Sequence, residues 1–179
     1  MLRQQGFLYD SSAAWSALMP LIKGYHRLFS KKGVSGEFGQ GSLRVPTEFY
    51  FPDRSDWRTR GADFGGIMEI PIPRSSWLNL PFYNNFHLLV GGFYRDVSVL
   101  LMRQSTVVYL MHLIEFVDLE DGIPRELRIH PNVSTPVGKK MEFLECTLRL
   151  LKAKYKTARS DDFCKSSVEE NSLKGSPIG

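Results

Sequence analysis

Two apolar runs in this sequence each close on a residue that could do chemistry. Residues 7–9, Phe-Leu-Tyr, end at Asp10, and residues 107–111, Val-Val-Tyr-Leu-Met, end at His112. Runs of this kind read as strands, and in parallel α/β architectures ligands bind at the carboxyl ends of strands. A carboxylate beside an imidazole raises its pKa and fixes its orientation, which suits the imidazole to general acid work. The alternative is that Asp10 caps a turn with Ser11 and Ser12, while His112 is a satisfied core histidine. Spacing alone favours that alternative.

The other candidates carry less. Glu115 follows His112 closely and reads as a metal ligand, an acid, or a polar residue after the strand. Glu69 alternates with apolar neighbours, which points it toward water or a loop. His26 and His87 lie in irregular or aromatic surroundings, and His130 precedes a proline. None has the helical spacing of a metal pair. Neither a nucleophile-elbow serine motif nor a phosphate-binding glycine loop occurs. The glycine-rich residues 33–42 neither follow a strand nor open a helix, and read as a flexible loop.

The elements that would position these residues follow α/β order. Residues 2–5 read as the end of a helix capped by Gly6. Residues 11–65 are irregular, and so long a loop is functional or relies on partners for packing. Residues 66–72 predict a strand closed by prolines. A helix is expected within 86–103, with Phe93, Val97, Leu100 and Leu101 at helical spacing. Residues 106–112 predict a strand buried on both faces. Residues 136–155 predict the longest helix, with Val137, Met141, Leu144, Leu148, Leu151 and Tyr155 on one face. Thr135 would be its N-cap and Pro136 its first residue.

Composition narrows the class further. The chain has 179 residues, 42% of them hydrophobic, enough for one ordinary domain. A formal charge of +4 with dispersed Lys and Arg argues against nucleic acid. Of two cysteines, Cys146 among apolar residues reads as a core hydrophobe, and Cys164 lies in a polar tail. Neither has metal-ligand spacing. The apolar runs are too short to span a bilayer, and no signal-peptide run opens the chain, so it reads as soluble and cytoplasmic as it stands. Two regions are expected: a packed portion over 1–158, and a polar, disordered tail over 159–179.

Four segments together resemble the NodB-homology polysaccharide deacetylases. "LRQQGFLYDSS" is similar to the opening of that family's fourth motif. "GIMEIPIPRSSWLNLPF" resembles the stretch that follows it, and "VVYLMHLIEFVD" resembles the fifth motif, whose Leu-x-His is here Leu110-Met111-His112. "FLECTLRLLKAKYKTARSDDF" resembles the closing helix and last strand. The resemblance runs in order from residue 2 to about 163.

It implies an α/β fold, a partial distorted (β/α) barrel lacking its N-terminal strands. It also implies hydrolysis of acetamido groups on a polysaccharide or glycan. In the family a metal, usually zinc, activates a water and polarises the acetyl carbonyl. Carried over by position, His112 would be the acid and Asp10 its partner, with Leu110 lining the acetyl pocket and Trp15 at the substrate. Trp15 stands one residue further from Asp10 than the common pattern, and Leu-Ile follows His112 in place of Pro-Trp. The family's earlier motifs carry the base and all the metal ligands, and none of them occurs in residues 1–179. The resemblance therefore implies a C-terminal half that holds no zinc by itself and is inactive without a partner half. The alternative is a non-catalytic module of the same origin, binding glycans or proteins. In that module Trp15, Trp57, Trp77 and neighbouring tyrosines would stack on sugar rings instead of filling a core.

Overall fold

The computed structural model describes residues 3–13, 45–61, 66–128 and 130–174. Trp15, His26 and the glycine-rich 33–42 lie outside the described residues. The chain divides into two compact units, residues 1–72 with 157–179, and residues 73–156.

The first unit is built on a short parallel pair. A 3-10 turn, Arg3–Gln5, ends at Gly6, whose φ of 84° suits a residue without a Cβ. The chain then enters β1, Tyr9–Asp10, which pairs with β2, Met68–Glu69, in the register Tyr9 to Met68 and Asp10 to Glu69. The other side of β2 meets Tyr50, which exchanges backbone hydrogen bonds with Glu69 at 3.0 and 2.8 Å. Ladder bonds continue past β2, with the Ile70 and Ile72 N–H groups donating to the carbonyls of Asp10 and Ala13. Pro71 and Pro73 donate nothing, so the strand predicted over 66–72 contracts to two residues. Met68, Ile70, Tyr50 and Phe51 are buried there.

The tail expected to be disordered from Arg159 is helical over Ser160–Lys174. Asp161 and Asp162 in its first turn suit the helix dipole. Low hydropathy hid an inward side that needs few apolar residues. Phe163 meets Phe49 edge-on at 5.0 Å, and the buried Cys164 sulfur lies 3.7 Å from that of Met68. The cysteine expectations are therefore reversed: Cys164 is buried and Cys146 is exposed.

Glu69 also differs from its expectation. It is 4% exposed, and its Oε1 accepts the Ala13 N–H at 2.9 Å. Both flanks of its backbone are hydrogen-bonded, which holds the side chain inward. Burial pushes the carboxyl up to about 7, with the Asp10 charge adding to the rise and the Ala13 N–H opposing it. The folded state then keeps a proton that the unfolded chain loses near pH 4.5. Stability should fall as pH rises from about 4.5 to 7 and stay reduced above. Glu69→Gln, which keeps an acceptor for Ala13, should flatten this slope and add on the order of 1–2 kcal/mol at pH 8. Urea midpoints at pH 5 and pH 8 check it; a slope unchanged in the variant would assign the titration elsewhere.

The second unit packs helices around an aromatic core. α1, Asn84–Val90, and α2, Gly92–Leu101, replace the single helix predicted within 86–103. Gly91, at φ 104°, breaks the helix in a conformation that side chains disfavour. α2 buries Tyr94, Arg95, Ser98 and Val99, while Phe93 is 81% and Leu100 75% exposed. The predicted apolar face thus points outward. Two of the inward polar groups have partners: Tyr94 donates to the Pro81 carbonyl, and Arg95 lies over the Phe143 ring at 4.4 Å and donates to the Phe143 carbonyl.

The helix predicted over 136–155 is α3, Val137–Lys154. Its first N–H is capped by Asp118 Oδ2 at 2.8 Å, not by Thr135. The buried stripe is Lys140, Leu144, Thr147 and Leu151, one step round from the apolar one, with Met141 and Leu148 exposed. Lys140 is inside because its ammonium donates to the carbonyls of Val117 and Asn132. Lys154 donates to the carbonyls of Val99, Leu100 and Met102, and so closes the carboxyl end of α2. The core is Phe82, Val99, Met102 and Leu151, with Val107, Tyr109, Leu150 and Tyr155 packed against it.

Residues 106–112, predicted as a buried strand, join no sheet among the described residues. Val107 and Tyr109 gain their burial from helices instead. β-branched and apolar content reports burial, but it cannot supply a neighbouring strand edge. The described residues therefore form helices, 3-10 turns and one two-stranded parallel sheet. None of these helices is long and apolar enough to cross a membrane.

Candidate acid–base site

His112 stands at the N-cap of a 3-10 turn, Leu113–Phe116. The Glu115 N–H donates to the His112 carbonyl at 3.0 Å and closes the turn. With three residues per turn, positions i and i+3 eclipse. The two side chains consequently meet, with His112 Nδ1 3.0 Å from Glu115 Oε1. Their surroundings differ sharply: the His112 side chain is 47% exposed and that of Glu115 is fully buried.

A buried carboxylate needs further donors. Asn84, the first residue of α1, supplies one by donating from Nδ2 to Glu115 Oε2 in a short hydrogen bond. Its own N–H donates to the Leu110 carbonyl at 3.1 Å, which ties α1 to the segment carrying His112. Tyr109 donates from its hydroxyl to Asn84 Oδ1 at 3.2 Å, and His87 Nδ1 lies 2.9 Å from that hydroxyl. A single polar line runs from His112 through Glu115, Asn84 and Tyr109 to His87. Burial, then the Arg95 charge, lowers His87 to about 4, so it is neutral near pH 7. Burial raises the Tyr109 hydroxyl above the ordinary phenol range, so it too stays protonated. Tyr83 flanks the exposed end of the line, its ring centroid 6.0 Å from that of His112.

His112 Nε2 has no hydrogen-bond partner among the described residues. With Nδ1 held, Nε2 can take a proton when the ring is neutral and give one when it is charged, with Glu115 offsetting the charge. Acid–base work of this kind is one of the two readings that the sequence leaves open for His112. Its expected alternative, a satisfied core histidine, instead describes His87, which is fully buried.

Asp10 lies in the other unit. Its Oδ1 accepts the Ser11 N–H at 2.8 Å, and its Oδ2 accepts the Ser12 hydroxyl at 2.9 Å. That is the turn-capping arrangement the sequence offered as an alternative. Ser11 donates in turn to the Ile70 carbonyl, which fixes the turn to the strand after β2. An open, mostly apolar hollow of about 470 Å³ runs along Gly6 to Ser11 and brings Asp10 to its wall.

Leu110 is half-buried beside His112, and Trp15 lies outside the described residues. Trp57 and Trp77 are 48% and 44% exposed, so neither is a core residue. His130 is structural: Nδ1 accepts the Asn132 N–H and Nε2 lies 3.3 Å from Asn85 Nδ2. Among the described residues no three His, Cys, Asp or Glu side chains gather into a group that could hold a metal.

Asn84, Tyr109 and His87 were not predicted as site residues. The His-x-x-Glu spacing was visible, but it points to a pair only once residues 112–116 are known to form a 3-10 turn. No family model, curated protein or solved structure matches the chain.

Proposed function

We propose that this chain supplies the acid–base part of a carbohydrate N-deacetylase, acting on acetamido groups of a polysaccharide or glycan. The observation that carries this reading is an exposed imidazole held at Nδ1 by a buried carboxylate, at the histidine where the resemblance puts the acid. In this reading Nε2 of His112 protonates the leaving amine as the amide carbon–nitrogen bond breaks, and acetate and a free amino sugar are the products. The resemblance gives Asp10 the tuning of the acid, Leu110 the acetyl pocket and Trp15 the sugar. The base and the metal come from motifs that residues 1–179 do not contain. The fold this reading entails is part of a distorted (β/α) barrel.

The test is acetate release from an N-acetylated oligosaccharide with added zinc. The chain alone should give none. The chain joined to a segment carrying the metal-binding motifs should turn over. Turnover by the chain alone, or a joined protein that folds and binds zinc yet stays inert, would overturn the reading. The exposed Trp57 and Trp77 favour a second reading, a glycan-binding module of the same origin. It requires saccharide-dependent quenching of tryptophan fluorescence, and a flat titration would remove it.

A further inference from the structure

The proton positions along the polar line can be worked out from its buried end. A carboxylate only accepts, so Asn84 turns its NH₂ toward Glu115 and its carbonyl oxygen toward Tyr109. The Tyr109 hydroxyl has one proton and gives it to Asn84. Its remaining capacity is as an acceptor, so the neutral His87 donates from Nδ1. His87 Nε2 is then a bare acceptor, and it is buried without a partner. At the surface end the same logic gives His112 an Nδ1–H that donates to Glu115. With Glu115 as a carboxylate the assignments follow one from the next, because turning Asn84 over would set its carbonyl oxygen against Glu115.

From this we infer that Glu115, oriented by Asn84, is the positioning residue of His112. It fixes the Nδ1–H tautomer and so leaves Nε2 as the working nitrogen. The resemblance gives the tuning of this histidine to Asp10. Nδ1 is instead taken by a carboxylate three residues along the chain, in the same unit, buried and held by a second hydrogen bond. Asn84 serves both ends of the arrangement, since its backbone holds Leu110 and its side chain holds Glu115. Asp10 keeps its own serine partners and need not touch the ring. The catalytic consequence rests on the deacetylase reading, but the tautomer does not.

The experiment is imidazole nitrogen NMR on the full chain with ¹⁵N-labelled histidine. Neutral His112 should show Nδ1 protonated and Nε2 bare, opposite to the form that a free histidine side chain favours in water. Its Nδ1–H should exchange slowly with solvent. In Glu115→Gln the amide can satisfy Asn84 through its oxygen and offer its NH₂ to the ring, so His112 should switch to the Nε2–H form. Glu115→Asp keeps the charge but shortens the reach, and should leave the two forms mixed. A wild-type His112 in the Nε2–H form overturns the inference, whether or not any variant folds. So does a Glu115→Gln spectrum identical to wild type. In the joined deacetylase, Glu115→Gln should lower kcat on the order of 10²-fold with KM little changed. A fixed tautomer in a joined protein without deacetylation would sink the functional reading and leave the role of Glu115 standing.

Discussion

On the proposed deacetylase reading, replacing His112 with alanine in the joined protein is expected to lower turnover by roughly 10²–10⁴-fold, the usual worth of a positioned general acid. The KM for the glycan should change little, because on that reading the imidazole would act on the leaving nitrogen and contribute little to holding the sugar. Folding offers no competing explanation for a loss of that size. The side chain is 47% exposed, so its removal deletes little buried area. It does remove one donor from Glu115, but water can replace that donor at the exposed edge. His112→Gln separates the roles further, since it offers hydrogen bonds without acid–base chemistry and should be as slow as alanine. The measurement is initial rate against glycan concentration for wild type and both variants. An unchanged kcat would make His112 a structural residue and return the function to the binding reading.

How far these features could be read from sequence depended on what each pattern measures. The long helix was legible because eighteen residues carry many repeats of its period, and α3 falls within a residue of its predicted ends. Which face it buries was not, because Lys140 and Thr147 are inside and Met141 and Leu148 outside. Apolar periodicity assumes that polar residues face water, and the assumption fails where a buried ammonium finds two carbonyls. α2 fails in the same way around Tyr94 and Arg95. The segment at 106–112 misled for another reason, since its composition reports burial but not pairing. At the site, His112 and Asp10 were chosen as polar residues ending apolar runs, and each does end one. Their proposed partnership was a matter of long-range geometry, which a single sequence does not encode locally. The partner that His112 does have, Glu115, was local and in plain view, but it required a 3-10 turn in place of the expected strand end.

The sharpest test of that inverted packing is a pair of phenylalanines eleven residues apart. Phe82 is fully buried and meets His87 and Tyr109 edge-on, with centroids at 4.7 and 5.7 Å. Phe82→Ala should cost about 3–5 kcal/mol, because the transfer loss is joined by a cavity that the two rigid rings against it cannot easily close. For a chain of this size that lowers the melting temperature by roughly 6–20 °C. Phe93, named by periodicity as a core position, is 81% exposed, and Phe93→Ala should stay within about 0.5 kcal/mol of wild type. Urea unfolding of both variants decides between the two arrangements. Comparable losses would mean that α2 turns its apolar face inward after all. The large loss should also reach the site. Phe82 is one wall of the cage around His87 and Tyr109, and Tyr109 holds the oxygen of Asn84. A folded Phe82→Leu, costing less than about 1.5 kcal/mol if the core repacks, should therefore loosen the His112 Nδ1–H and speed its exchange. An exchange rate unmoved in that variant would show that the two hydrogen bonds of Glu115 hold the imidazole without support from the core.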